Sequence, residues 1–490
     1  MIDTFPHLDY KRYVLEPAFG EAQRLLFPWM MAANEAHTLM LAQTGIMPPE
    51  QAAALLKANR DVERAGPEAF IYAPAVEDLF FAVEQRLIEQ AGADAGGNLQ
   101  IARSRNDLDA VMARQMVRDR LVALQDQVLQ VREALLDLIG RHHETLMPGV
   151  THTQPAQPTT LAHHLLGVLG PFERDSARLA SAWERVNRCP LGVAAFTTTS
   201  FPIDRELTAQ LLGFDGLVEN GYDAIGASDY MMEVTGALAN MAASVSRFAH
   251  DLLIWSRAEA GTLRIGDAFV QISSIMPQKR NPVVFEHIRA RTGYVIGDAA
   301  TVTTIAHSSA FGDTVDVEDP IYTPLARCCD SASAVLGLLA AVLPTCEFDV
   351  ELLAQRAGQG HTTTTALADA LVKERDMPFR AAHHVVSRLV RESLKSGEEL
   401  TAARVSSVAT VEAGRTIDVD DAFVARALDP WEMVVARHIP GGPAPDATRA
   451  AAERSRELLD EDRVAAQGRR ETLDAAIAER RRRVEEVTRP

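Results

Sequence analysis

The chain has 490 residues, 47% of them apolar, 6% aromatic and 24% charged, and a formal net charge of −18. That acidity excludes general binding to nucleic acid or to an anionic membrane surface, both of which need a cationic field, so an anionic ligand requires cations gathered locally. The length allows two or three domains or one elongated helical body, and an Ala- and Leu-rich, aromatic-poor composition predicts an almost wholly helical, all-α protein. Cys189, Cys328, Cys329 and Cys346 show neither C-x-x-C spacing nor an accompanying histidine pattern. They read as small buried hydrophobes in a reducing cytoplasm, with no metal and no cofactor expected. Met1 to Tyr13 carries no apolar core segment and no uninterrupted run of about 20 apolar residues follows, so a soluble, unexported, cytoplasmic protein without membrane contact is expected.

In chain order, residues Pro17 to Ala91 form several helical segments broken at Gly45-Ile46-Met47-Pro48-Pro49, ending at the glycine-rich stretch Gly92 to Asn98. Residues 1–103 make a plausible N-terminal helical domain. Arg103-Ser104-Arg105-Asn106-Asp107 then opens a long periodic stretch, Leu108 to Arg141. N–H groups and side chains there can face an anion at a helix start, and the planar Arg105 fork suits a carboxylate; a simple N-cap by Asn106 or Asp107 is compatible with the same residues. Thr151-His152-Thr153-Gln154-Pro155 follows the break Met147-Pro148-Gly149, which places His152 on a loop or in a first helical turn. A histidine there can give or take a proton near neutrality, or it can be a cap or packing residue.

Further periodic stretches span Thr160 to Arg188, Ser228 to Ala260, Phe285 to Ala306 and Tyr322 to Leu343. Five long helices make a central bundle over residues 104–350 the natural architecture, and their apolar surface suggests association through it. Between the third and fourth lies Ser273-Ser-Ile-Met-Pro-Gln-Lys-Arg-Asn-Pro282, whose prolines forbid an ordinary helix. Lys279 offers charge, Asn281 an amide, and the serines hydroxyls, a set able to hold a carboxylate; a solvated basic turn is the plainer alternative. Glu286, in the first turn beyond, can orient a histidine or merely favour the helix start. A C-terminal helical domain is expected over 351–445, ending at Gly441-Gly442-Pro443-Ala444-Pro445. The charged extension 446–490 reads as a solvated helix or a frayed tail.

Together, Arg103-Ser-Arg-Asn-Asp107, Thr151-His152-x-Gln154 and Ser273-Ser-x-Met-Pro-x-Lys279-x-Asn281 resemble, in order and spacing, the fumarase/aspartase superfamily, and the first two resemble its argininosuccinate lyase branch most closely. Glu77-Asp78 with Glu84 and Arg86-Leu87, Pro190-Leu191-Gly192 with Asp204-Arg205-Glu206-Leu207, Ser246-Arg247 with Trp255-Ser256, and Met377 to His383 are similar to that branch too. The resemblance covers roughly Pro17 to Pro445. It implies a three-domain, all-helical subunit, a homotetramer with a twenty-helix core, and active sites that combine the three motifs from three chains. It also implies anti elimination of a small dicarboxylate or aminocarboxylate substrate to fumarate and an amine, with no nucleic-acid partner. By matching position, Ser273 resembles the base that removes the Cβ proton, and His152, oriented by Glu286, the proton-handling group on the amine side. Lys279, Asn281, Arg105, Asn106 and Thr151 match residues that hold carboxylates, and Ser104, Gln154, Ser274 and Met276 belong to the same substrate-binding segments. Either Ser273 or Ser274 could be the base.

Three departures stand out. Ile272 replaces the glycine usual before the serine pair, and Phe80 replaces the histidine of a Glu-Asp-x-His pattern. The stretch expected to read Tyr-Asn-Arg-Asp-x-Gln-Glu-Asp-Lys, which serves the guanidinium side of argininosuccinate, is Ala310-Phe-Gly-Asp-Thr-Val-Asp-Val-Glu-Asp319. The expected activity is therefore a carbon–nitrogen lyase for an N-substituted aspartate other than argininosuccinate, similar to branch members acting on aminocarboxylates such as ethylenediamine-disuccinate. Argininosuccinate lyase proper and a non-catalytic structural relative are the alternatives.

Overall fold

The computed structural model of the chain describes residues 5–74 and 76–489. Five long helices, Arg105–Arg141, Leu161–Val186, Asp229–Trp255, Val283–Ala306 and Asp319–Val342, form the body, close to the five stretches that the periodicity predicts. They are called the first to fifth bundle helices below. The first starts where Ser104 and Asp107 close a capping box, the Ser104 N–H donating to the Asp107 carboxylate at 2.7 Å. The second starts where the His163 N–H donates to the Thr160 hydroxyl at 3.2 Å. Pro171 lies inside the second helix and Pro324 inside the fifth without ending either; packing, more than propensity, holds those turns.

The first bundle helix packs on the second and fifth, the third on the second and fourth, and the fourth on the fifth. Successive helices run in opposite directions, as an up-down bundle requires. At ~1.5 Å per residue the 37-residue first helix is about 55 Å long, which sets the distance between two very different ends. One end gathers the starts of the first, third and fifth helices; there Gly226 lies so close to Gly312 that a Cβ would sit 2.7 Å from its backbone nitrogen. The opposite end gathers the starts of the second and fourth helices, where the Trp255 ring meets Phe348 edge-on at 6.0 Å and His164 at 5.0 Å. The stretch Val315–Thr345, which includes the fifth helix, is long and apolar enough to cross a membrane. Here Ile321, Leu325, Leu336 and Leu339 of that helix lie in the main core.

The Phe27–Gln43 helix is apolar nearly all round, and Met31, Ala33, Met40 and Leu41 are buried in the same core. Thr364–Arg375, Phe379–Ser396, Ala402–Ala413 and Asp421–Leu428 close a separate apolar cluster around Leu371, Val385, Leu389, Val405 and Phe423. All four cysteines are buried and free, and burial raises the thiol pKa of Cys189 to about 12.

One feature sharpens the sequence-based expectation and one departs from it. His152 lies on a loop, not in a helical turn, and that loop is a hairpin tip: Leu146–Thr151 pairs antiparallel with Gln154–Thr160, and His152 and Thr153 form the two-residue turn at φ 51° and 65°. The second helix begins only at Leu161. A two-residue tip of this hand favours Asn-Gly because both positions need positive φ, and a β-branched threonine there is strained. Thr153→Gly is expected to raise stability by about 1 kcal/mol, read as a higher midpoint of thermal unfolding.

The charged extension, expected to be solvated or frayed, is instead one 44-residue helix, Pro445–Thr488, docked along the first bundle helix and the N-terminal helices. Leu459 and Val484 are buried in the main core. Its arginines and acids pair inward: Arg480 donates to Glu35 at 3.0 Å and to the Leu211 carbonyl at 3.0 Å, Asp462 accepts from the fully buried Arg132, and Arg470 pairs with Asp126. The charge run looks solvated in sequence because its partners lie hundreds of residues away.

Candidate active site

Arg103-Ser104-Arg105-Asn106-Asp107 is anchored from beneath. Buried Arg103 donates to Asn34 at 2.8 Å and to Gln100 at 2.7 Å, and burial lowers its pKa to about 10. His37 beside it is kept neutral, its pKa lowered to about 3 by burial and the Arg103 charge. Asp107 accepts from the N–H groups of Gly192 at 2.9 Å and Ala194 at 3.1 Å, which ties Pro190-Leu191-Gly192 to this segment. Ser104 and Asn106 share a 2.6 Å hydrogen bond.

Arg105 faces outward over the Phe81 ring at 5.0 Å and reaches Asp78 at 2.7 Å and Glu77 at 3.7 Å. Burial works to lower its pKa, but the Asp78 hydrogen bond and the two carboxylate charges raise it overall. Asp78 is itself the N-cap of the Leu79–Ala91 helix, accepting from the Phe81 N–H. Phe80, where a histidine was the expected residue, is buried in the main core against Phe81.

The 310–319 stretch folds onto the same segment. The Asn106 side-chain amide donates to Asp313, and Glu318 lies beside Asp313. Asp109, one turn along the first helix, and Asp319, opening the fifth, complete an acidic group. Burial raises the pKa of Asp109, and the charges of Asp319 and Asp78 raise it further against the pull of Arg105. Burial also pushes Glu318 well up, reinforced by Asp313 and Asp109, and raises Asp319, reinforced by Asp78.

At the opposite end of the bundle, the loop after the third helix is a small hairpin. Gln271 and Ile272 pair with Asn281 and Arg280, the Asn281 amide donates to the Gln271 carbonyl at 3.1 Å, and Arg280 pairs with Asp267. The tip holds Ser273, Ser274, Met276 and Lys279. The Ser273 hydroxyl oxygen accepts from the N–H groups of Ile275 at 3.3 Å and Met276 at 3.0 Å. Ser274 has no comparable donors among the described residues. Ile272, Ile275 and Met276 are exposed, Ile275 at 85%, an apolar tip with nothing of its own chain to cover it.

Thr151, His152 and Gln154 are exposed at the other hairpin's tip, and Glu286 is exposed in the first turn of the fourth helix. Among the described residues His152 and Glu286 make no side-chain hydrogen bond or ion pair with each other. One chain thus brings Ser104, Arg105 and Asn106 together at one end of the bundle. Thr151, His152, Gln154, Ser273, Ser274, Met276, Lys279, Asn281 and Glu286 stand at the other.

An up-down bundle with donor-rich segments at both ends defines a subunit of the fumarase/aspartase type. Residues 15–297 match the Lyase family and residues 361–435 match the argininosuccinate lyase C-terminal family. The argininosuccinate lyase of Methanosarcina barkeri is 38% identical over 88% of this chain and 87% of its own; that of Methanoculleus marisnigri is 39% identical over 93% and 92%. Among solved structures, an EDDS lyase double variant with bound fumarate superposes with a TM-score of 0.87 at 28% identity, covering 98% of this chain and 95% of that one. The 3-carboxy-cis,cis-muconate lactonizing enzyme of Pseudomonas putida shares the fold, with a TM-score of 0.73 at 19% identity over 92% and 99%. The chain belongs to the argininosuccinate lyase branch of the fumarase/aspartase superfamily, and it is a carbon–nitrogen lyase.

Asp78 and Asp313 belong to segments that the sequence singles out without showing that they meet, whereas Asp109 carries no local signal. Asp78 carries a visible signal, an N-cap three residues before Phe81. The others converge from segments about 200 residues apart, and no local pattern announces that.

Proposed function

We propose that the chain works in the cytoplasm as a homotetramer that cleaves an N-substituted aspartate to fumarate and an amine by reversible anti elimination. The observation that carries this reading is the separation of the motif segments: Arg105 and Asn106 lie at one end of a helix about 55 Å long, and Ser273 and His152 at the other. Neighbouring chains set antiparallel would bring opposite ends together and cover the apolar Ile272–Met276 tip.

In such a site Ser273 removes the Cβ proton. The two loop N–H groups on its oxygen stabilise the alkoxide, and Lys279 adds charge nearby. Proton removal beside a carboxylate builds a dianion, so Lys279, Asn281, Arg105, Asn106 and Thr151 serve as donors already aimed at developing charge, each worth about 3 kcal/mol in favourable geometry. Ser104, Gln154, Ser274 and Met276 line the same space. His152, held by Glu286 of another chain, returns a proton to the departing nitrogen. For Arg105 to take a substrate carboxylate it must exchange Asp78, a half-exposed partner that costs little to release.

The 310–319 stretch supports a substrate other than argininosuccinate, because it lacks the tyrosine, glutamine and lysine of the guanidinium-side pattern. Incubation with argininosuccinate is expected to release no arginine at an ordinary turnover, while fumarate absorbance falls when suitable amines are supplied. Ordinary turnover of argininosuccinate overturns the substrate assignment.

A further inference from the structure

The segment Ser104 to Asn106 is held from two directions by parts of the chain that the elimination chemistry leaves unexplained. The first is a strap, residues 192–198, in which Gly192, Ala194, Ala195 and Thr198 have positive φ, at 94°, 48°, 75° and 61°. Three of these are not glycine, and a β-branched threonine in that region is an outlier. Such backbone is costly and persists only where surrounding contacts over-determine it. Here charged groups supply them. The Asp107 carboxylate accepts the N–H groups of Gly192 and Ala194, and it also accepts the Ser104 N–H. Arg205 in turn donates to the carbonyls of Leu191 at 3.1 Å and Val218 at 2.9 Å, and the Thr198 N–H closes the strap on the Val193 carbonyl at 2.7 Å.

The second direction runs through the short helix Gly221–Gly226. Its Ala224 and Ile225 share a small apolar cluster with Val193 of the strap and with Val218, apart from the main core. A Cβ at Gly221 would collide with the Phe196 carbonyl, and the Phe196 and Tyr222 rings lie 4.6 Å apart with 35° between their planes. At the far end of this helix Gly226 meets the backbone of Gly312, and the next residue, Asp313, accepts from Asn106. The contacts close a ring from Asp107 to the strap, to the short helix, to Gly312 and Asp313, and back to Asn106.

We propose that Asp107, Tyr222 and Gly226 are positioning residues for the elimination, fixing through this ring where Ser104, Arg105 and Asn106 present their donors to the substrate carboxylates. This rests on the elimination reading and names what aligns its carboxylate-holding segment. Directional hydrogen bonds and backbone-on-backbone contacts leave little slack, so a displacement in the ring reaches Asn106. The consequence is kinetic, because a misplacement of about 1 Å can cost on the order of 10²-fold in rate.

The test measures amine addition to fumarate by the full-length protein, together with inhibition by succinate competing with fumarate. Gly226→Ala sets a Cβ against the Gly312 backbone and is expected to raise the KM for fumarate and the inhibition constant of succinate by about ten-fold each, with kcat changed less. Asp107→Asn, which turns an amide donor toward N–H groups, is expected to raise both at least as much. Tyr222→Ala, which removes the ring contact, is expected to raise both several-fold, and Tyr222→Phe, which keeps it, to restore wild-type values. Gly468→Ala, at a helical glycine with open space around it, is expected to leave both unmoved. Tyr222 is half-exposed, so its replacement decides even if a buried change prevents folding. A folded Gly226→Ala, Asp107→Asn or Tyr222→Ala with both constants unmoved overturns this inference alone. So does a rise that Gly468→Ala shares or that only follows a lowered thermal midpoint, and so does a Tyr222→Phe as impaired as Tyr222→Ala. Absence of reaction of the wild-type protein with every amine overturns the elimination reading and this inference with it.

Discussion

Ser273→Ala is expected to lower kcat for amine addition to fumarate by about 10³-fold, within the 10²- to 10⁴-fold span of a lost general base, and to change KM for fumarate little. Ser274→Ala is expected to cost less than about ten-fold. The difference follows from hydrogen bonding: the oxygen of Ser273 accepts two backbone N–H groups, Ile275 at 3.3 Å and Met276 at 3.0 Å. Those donors favour the charged form of the hydroxyl, which is what a serine base must become. Steady-state rates on both variants decide between the two serines. The larger loss in Ser274→Ala would reassign the base.

Arg480→Ala is expected to destabilise the protein by about 3 kcal/mol or more, because it leaves Glu35 buried and uncompensated. Only a tenth of the Arg480 side chain is exposed and even less of the Glu35 side chain, so solvent screening does little to soften the loss. The penalty should depend on pH in a defined direction. Burial raises the Glu35 pKa, and Arg480 opposes that rise; without Arg480 the folded-state value climbs further. An acid with a raised folded-state pKa costs nothing while protonated in both states. Its cost develops as pH rises through the unfolded-state value and is complete above the folded-state one. The variant is therefore expected to approach wild-type stability in mild acid and to fall behind as pH increases, with Glu35→Gln combined with Arg480→Ala recovering part of the difference at neutral pH. Denaturant midpoints across that pH range provide the measurement.

The bundle was legible because period 3.6 over long uninterrupted stretches, such as Leu108 to Arg141, has one structural meaning. That the motifs fall at opposite ends was not read from the sequence; it follows from the antiparallel course of the helices in the fold. The Leu146–Thr160 hairpin was not legible. Gln154-Pro-Ala-Gln-Pro158 has neither β-branched residues nor alternation, and its turn uses His152 and Thr153 where sequence preference asks for Asn-Gly. The docked C-terminal helix was hidden for a different reason: Arg480 is an ordinary surface residue by its neighbours and a buried one by its partner Glu35. The motif segments could be named residue by residue, whereas the acidic surroundings of Asn106 are a product of the fold.

The pairing of Glu35 with Arg480 spans 445 positions, and this has a bearing on biosynthesis. At about 5–20 residues per second a ribosome needs roughly 20–90 s to reach Arg480 after Glu35 has emerged. During that interval the N-terminal helices lack the strip that covers them, and the Glu35 carboxyl lacks the arginine it hydrogen-bonds in the folded protein. Completion of the first helices to be made therefore waits on the last, and a nascent chain that stalls before Pro445 would hold an unfinished N-terminal half for chaperones or proteases to find.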